Sequence, residues 1–346
     1  MVLLYLFLLL IIIPGLKWHN LGFRSDYIGK EQCNGIKGIF IIVVFFRHIV
    51  PYLTKSGYEM SGKLDILYNG INFCIGQLLV VMFFFYSGFG VMESIQNKGK
   101  NYVNAIPKRR ILSTLINYDI AVCCYALLAF IVGRDVSIWN FFTSLIAWTS
   151  LGNSNWYIFV ILICYILTFL SFRLLCMYEK WGGLFLLIVL TLMVLGGLYL
   201  SKTEIFYNTI MCYPAGMFYS YYKSDLETFV HKHFWLCLFN SASFFLIGLI
   251  ATFFIGRGVL YNFTSLLFAF IVVMLTMKIY VGNKFLLWCG ANLFPIYIYQ
   301  RIPMISVRYI AGDDWVSSHA FLYITICLIV TFFISYQYKY WKVELK

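Results

Sequence analysis

The sequence predicts an all-α fold, a polytopic bundle of membrane-spanning helices with ten in a core and one more at the N-terminus. Three observations predict it. Of 346 residues, 62% are hydrophobic, 20% aromatic and only 12% charged, far from the average of soluble domains. The apolar residues fall in runs close to the ~20 residues that a helix needs to cross a hydrocarbon core of about 30 Å. Basic residues collect between alternate runs, as they do on the cytoplasmic side of membrane proteins.

The first sixteen residues, MVLLYLFLLLIIIPGL, look like the apolar part of a signal sequence but lack a basic start and a small-residue cleavage site. They read as a retained anchor, short for a full span. Core helices follow near 36–53, 71–92, 112–132, 156–177, 182–200, 207–222, 234–255, 259–281, 285–300 and 320–338. Counting by helix parity, seventeen Lys and Arg lie on one side, including Lys98, Lys100, Lys108, Arg109, Arg110 and Lys346, and seven on the other. The richer side is expected to be cytoplasmic, which puts the N-terminus outside and the C-terminus inside. Residues 1–346 are expected to form a single transmembrane domain. The longest connections, 133–155 and 301–319, then lie outside. Their Trp, Asn, Ser and Asp suit lids or sugar contacts as well as they suit an aromatic belt with solvated turns.

An excess of 26 Lys and Arg over 14 Asp and Glu could suggest nucleic acid, but no charge block is dense enough to track phosphates. The charge reads as topology, and a lipid bilayer rather than nucleic acid is the expected partner. The ten cysteines sit mostly inside apolar runs, with no CxxC pair or Cys/His cluster of zinc spacing. Neither a metal site nor a disulfide framework is expected, and His231 and His233 read as solvated loop residues. No internal repeat with matching interrupted helices is found, which argues against an inverted-repeat transporter.

The stretch 35–52, GIKGIFIIVVFFRHIVPY, carries costly groups into an apolar helix. Lys37 and His48 are eleven positions apart, which brings them within roughly 20° of one face and about 16 Å apart along the axis. Pro51 leaves the Arg47 carbonyl without its helical partner, so a bend is expected there. Lys37 snorkelling to the interface and His48 bonded to a neighbouring helix would be structural roles. The functional reading is that a buried neutral imidazole takes a proton from an attacking hydroxyl. Arg47, about 100° from His48, could pair with a carboxylate or an anionic ligand. In FFFYSGFGVMES, Ser87 and Gly88 favour close helix packing over a narrow passage for an acyl chain. In KGKNYVNAIPKRR, Lys108, Arg109 and Arg110 serve either the positive-inside signal or a phosphate clamp.

Five segments then occur in a recognisable order: IKGIFIIVVFFRH, FFFYSGF, KRRIL, NWYI from Asn155 to Ile158, and GANLFPIYIYQRIPM from Gly290 to Met304. Over roughly residues 33–338 the chain resembles the membrane-bound acyltransferase-3 family, which O-acylates surface polysaccharides and lipid-linked sugars. The resemblance implies that His48 is the catalytic histidine and that Lys37, which stands where relatives usually carry Arg, is a second catalytic residue, with Lys37 or Arg47 holding anionic groups or stabilising a developing oxyanion. It sets Ser87 and Gly88 on the family's Ser-Gly and Arg109 and Arg110, beside Lys108, on the basic loop that meets the acyl donor. Arg47, Trp156 and Tyr297 are expected along the substrate passage. Two departures stand out. Tyr297, Ile298 and Tyr299 lead to Gln300 where relatives often have His, and Ser113 replaces a further Arg. The implied activity is O-acetylation of a hydroxyl of a capsular or other cell-envelope glycan, with acetyl-CoA as donor and no metal, in the bacterial inner membrane. A glycan-lipid flippase or sugar transporter is the alternative, and a polysaccharide polymerase ranks below it.

Overall fold

The computed structural model describes residues 1–20, 22–175 and 180–345. The expected helix end at 177 and Lys346 of the basic tail lie outside the described residues. The chain begins with α1 (Val2–Ile12) and β1 (Leu16–Trp18), followed by α2 (Lys30–Lys55), α3 (Lys63–Ile75) and α4 (Leu78–Lys98). Next come α5 (Lys100–Ile106), a π-helical turn (Pro107–Leu112), α6 (Ser113–Ile131), α7 (Ile138–Leu145), α8 (Trp156–Leu175) and α9 (Lys180–Ser201). The second half runs through α10 (Cys212–Tyr221), α11 (Lys223–Lys232), α12 (Phe234–Ile255), α13 (Tyr261–Thr276) and β2 (Ile279–Val281). It ends with α14 (Lys284–Ala291), α15 (Leu293–Tyr299), α16 (Arg301–Ala311), α17 (Asp313–Ser318) and α18 (Ala320–Gln337).

The all-α class holds, and 7 helical stretches among the described residues are long and apolar enough to cross a membrane. Several expected spans differ in detail. The run 71–92 is α3 and α4, which meet at Gly76, a glycine at φ 45°. The run 285–300 is divided at Asn292 into α14 and α15. The run 207–222 shortens to α10, whose 10 residues reach only about 15 Å along their axis. The two long connections are partly helical, as α7, α16 and α17. His231 lies in α11 rather than in a loop and stacks on Phe23 with centroids 4.1 Å apart. One feature had no counterpart in the sequence reading. β1 pairs antiparallel with β2, Leu16 opposite Val281, and ties the N-terminal segment to the connection before α14.

In a bilayer, apolar burial gives helices little reason to prefer each other over lipid, so close packing through small residues carries much of the association. α2 and α14 approach so closely that a Cβ at Gly38 would overlap the Leu286 carbonyl, and one at Gly290 the Asn34 carbonyl. α4 and α10 do the same, Gly88 against the Tyr213 carbonyl and Gly216 against the Phe85 carbonyl. These contacts put α2 at the centre of the bundle, with Phe45, Ile49 and Leu53 fully buried. α12 lies at the rim and presents Trp235, Phe239, Ile247 and Phe254 outward.

The α4–α10 contact yields a paired prediction. Gly88→Ala meets backbone atoms that cannot yield and is expected to cost about 3 kcal/mol or more. Gly90→Ala, with nothing within 4 Å of its Cβ, is expected to be neutral or to stabilise by about 0.5–1 kcal/mol through helix propensity. Melting of the two variants in detergent tests the contrast, and equal behaviour would show that the close approach is not what holds α4 to α10.

Candidate active site

α2 runs on through Pro51 to Lys55 and carries Arg47 and His48 to a shared cavity wall, with Lys37 well away from both. His48 lines two cavities. The larger has a volume of about 650 Å³ and lies among the end of α2, the segment after α6 and α16. The smaller, about 130 Å³, is bounded by Arg47, Gly76, Gln77, Trp156 and Tyr297. The imidazole thus forms part of the wall of both. Its Nδ1 is buried and has no hydrogen-bond partner among the described residues. The Tyr297 ring lies 6.1 Å away, and Arg301, Arg47 and Gln300 are the polar groups that bear on the imidazole. Tyr297 Oη, Gln300 Oε1 and Arg301 Nε are likewise buried without a partner. Folded proteins leave few polar atoms in that condition, so four in one place, the histidine nitrogen and three beside it, mark a site able to bond a substrate.

The breaks in the helices create this arrangement. The Arg47 guanidinium donates to the Gly76 carbonyl, one of the acceptors left open where α3 ends. Arg257 donates in the same way to the Phe73 carbonyl. The turn so fixed brings Gln77 to the small cavity. Between α15 and α16, Gln300 is fully buried and its Nε2 donates to the Tyr297 carbonyl at 3.0 Å. The position at which the motif departs from His therefore faces His48. Gln300 stood out in the sequence only as a departure from His, and Arg301 was not singled out as a site residue, although a Gln-Arg pair behind the apolar run LFPIYIY was the available signal.

The basic segment divides. The π-helical turn inserts an extra residue into the register, a distortion often found at functional positions. Lys108 and Arg109 are exposed, whereas Arg110 turns inward and its Nε donates to Tyr102 Oη at 3.0 Å. The Tyr165 and Tyr213 hydroxyls also act on this guanidinium. Tyr165 in turn bonds Ser87 Oγ at 2.9 Å, and Tyr213 bonds Thr168 at 3.0 Å. Ser87 thus bonds a tyrosine whose charge environment Arg110 shares, while Gly88 serves the packing described above. Lys100, Arg173 and Lys180 line a cleft of about 90 Å³ beside α5. Ser113 hydrogen-bonds the Val343 carbonyl at 3.1 Å and so fastens the C-terminal tail. Lys37 is half-buried near Cys33 and makes no hydrogen bond or ion pair among the described residues. It lies about 16 Å along α2 from His48 and cannot touch the same reacting atoms. Between Arg110 and His48 stand Tyr165, Tyr157 and Tyr297, the last two in edge contact at 5.3 Å.

An acyltransferase domain family matches residues 30–338. The chain belongs to the acyltransferase-3 family. No curated protein and no solved structure matches it. The match starts at the first residue of α2, so α1 and β1 precede the acyltransferase domain. It covers every group described around His48 and Arg110. The protein is a membrane acyltransferase, and its long apolar helices fit that setting.

At the mouth of the larger cavity, Arg308 of the acyltransferase grips Asp313 through two hydrogen bonds of 2.6 and 3.1 Å, and Ser56 adds a third at 2.8 Å. Arg308 first and Ser56 second hold the Asp313 carboxyl below its usual range. Because the folded value is lowered, this contribution is complete above about pH 5 and is lost as pH falls through the folded value. Melting of wild type and Asp313→Asn is therefore expected to differ by a constant amount from pH 7 to about pH 5 and to converge below. A difference that persists in acid would mean that the carboxylate is not the source.

Proposed function

We propose that the protein is an O-acetyltransferase that moves an acetyl group from acetyl-CoA to a hydroxyl of a cell-surface or capsular glycan or its lipid-linked precursor. The observation that carries this reading is His48 itself, a histidine with an unpartnered nitrogen in the wall between a roomy cavity and a narrow one. In the reaction, the acceptor hydroxyl enters from the larger cavity and gives its proton to the neutral imidazole as its oxygen attacks the thioester carbonyl carbon. The new C–O bond forms, the C–S bond breaks, and the departing CoA thiolate takes the proton back from the imidazolium. Arg301, whose Nε is unengaged, is the group best suited to meet the charge that develops on the carbonyl oxygen. Arg47 is already bonded to the Gly76 carbonyl and acts by holding the site's shape.

Acetyl-CoA approaches from the opposite end, where Arg110 and the cleft of Lys100, Arg173 and Lys180 offer guanidinium and ammonium groups to its phosphates. Lys108 and Arg109 add exposed positive charge on that side, and Lys37 keeps a cation near the donor end of α2. The distribution of Lys and Arg supports an orientation with this end in the cytoplasm and the larger cavity outside, the N-terminus outside and the C-terminus inside.

The test follows acetyl groups from labelled acetyl-CoA to glycan in membranes from cells that make the protein. His48→Ala is expected to lower turnover by about 10²–10⁴-fold with normal expression, the range of a lost general base. Arg110→Ala is expected to raise the KM for acetyl-CoA about tenfold while leaving kcat within a few-fold, as loss of donor binding does. Full transfer by His48→Ala would remove the histidine from the chemistry.

A further inference from the structure

The residues lining the larger cavity include four cations, Lys55, Arg134, Arg301 and Arg308, and one carboxylate, Asp313. That carboxylate is already taken by Arg308 and Ser56. The other three positive charges meet no acidic side chain among the described residues. Arg134 donates to the Leu151 carbonyl, and Arg301 Nη1 to the Gly152 carbonyl at 3.4 Å. Both guanidiniums keep further N–H groups for the cavity, and Arg301 Nε is buried with no partner. The crowding shows at Tyr52, on whose phenol Arg301, Arg134 and Arg308 all act. Cations gathered in a partly desolvated recess repel one another, and a bound oxyanion relieves that repulsion while matching the guanidinium forks.

Resting on the acyl-transfer reading, we propose that the acceptor is acidic, a glycan unit whose carboxylate or phosphate sits among Lys55, Arg134 and Arg301 while a neighbouring hydroxyl faces His48. Arg301 lies beside both the imidazole and the cavity, so it is placed to touch the anionic group and to fix its distance from the reacting hydroxyl. Arg134 and Lys55 are exposed at the rim and select by charge before the sugar is seated.

The experiment uses the full chain in phosphatidylcholine nanodiscs, where no anionic lipid competes, and measures binding of D-glucose, D-glucuronate and D-glucose 6-phosphate. At least one anionic sugar is expected to bind about tenfold or more tightly than D-glucose, and comparison of the two tells a carboxylate acceptor from a phosphate one. A Lys55→Gln, Arg134→Gln double variant, its melting checked against wild type, is expected to lose most of that preference. Equal binding of the three sugars, or a preference that survives the double variant, overturns the proposal. His48→Ala separates this from the reaction itself: it should keep the preference for the anion while losing acetyl transfer. Transfer without any anion preference would leave the acetyltransferase reading standing and end this one.

Discussion

Everything in this bundle depends on how a helix can carry Arg47 and His48 through an apolar interior. Polar groups inside hydrocarbon need partners, and the neighbouring helices supply them by breaking. α3 stops at Gly76, and its free carbonyl takes the Arg47 guanidinium. The α15–α16 junction turns Gln300 and Arg301 toward the imidazole. The tight glycine contacts of α2 with α14 and of α4 with α10 fix the frame within which those breaks meet. With Arg47 anchored to backbone, His48 keeps a nitrogen free for chemistry.

The charges outside this centre fall into two groups with different surroundings. Arg110 bonds the Tyr102 hydroxyl and makes no ion pair among the described residues, a neutral setting that leaves its charge uncancelled. Arg134, Arg301 and Lys55 border an open cavity. In the proposed reaction one end would take a flexible donor carrying phosphates and the other a bulkier acceptor that needs room. Tyrosines and phenylalanines of α4 and α8 separate the two, with Phe84 and Tyr157 at 4.8 Å. Water is poorly accommodated among such rings, and in the proposed reaction that would shield a thioester from hydrolysis on its way to His48.

The sequence made the all-α class legible because length and apolarity report directly on helices in lipid. It also pointed to His48, since a histidine inside an apolar helix is conspicuous, and to the packing role of Gly88. Interruptions were harder to see. Gly76-Gln77 and Asn292 sit inside runs whose average hydropathy hides a single turn, and the tertiary partners at the first break, Arg47 on the Gly76 carbonyl and Arg257 on the Phe73 carbonyl, come from elsewhere in the chain. The β1–β2 ribbon and the cavity cations were beyond reach for a related reason. Leu16 and Val281, or Lys55, Arg134 and Arg301, lie far apart in the chain, and no local pattern states that they meet. Within the basic segment, Lys108, Arg109 and Arg110 look equivalent as letters, and only the π-helical turn separates the inward arginine from its exposed neighbours.

The central claim is that donor and acceptor reach His48 from opposite ends of the bundle. Sealed proteoliposomes of known orientation test it most directly, with labelled acetyl-CoA confined to one side and an acceptor glycan to the other. The account predicts acetyl transfer when acetyl-CoA is on the Arg110 side and the glycan on the side of the larger cavity, and none with the two exchanged. Transfer that requires both substrates on the same side would contradict it.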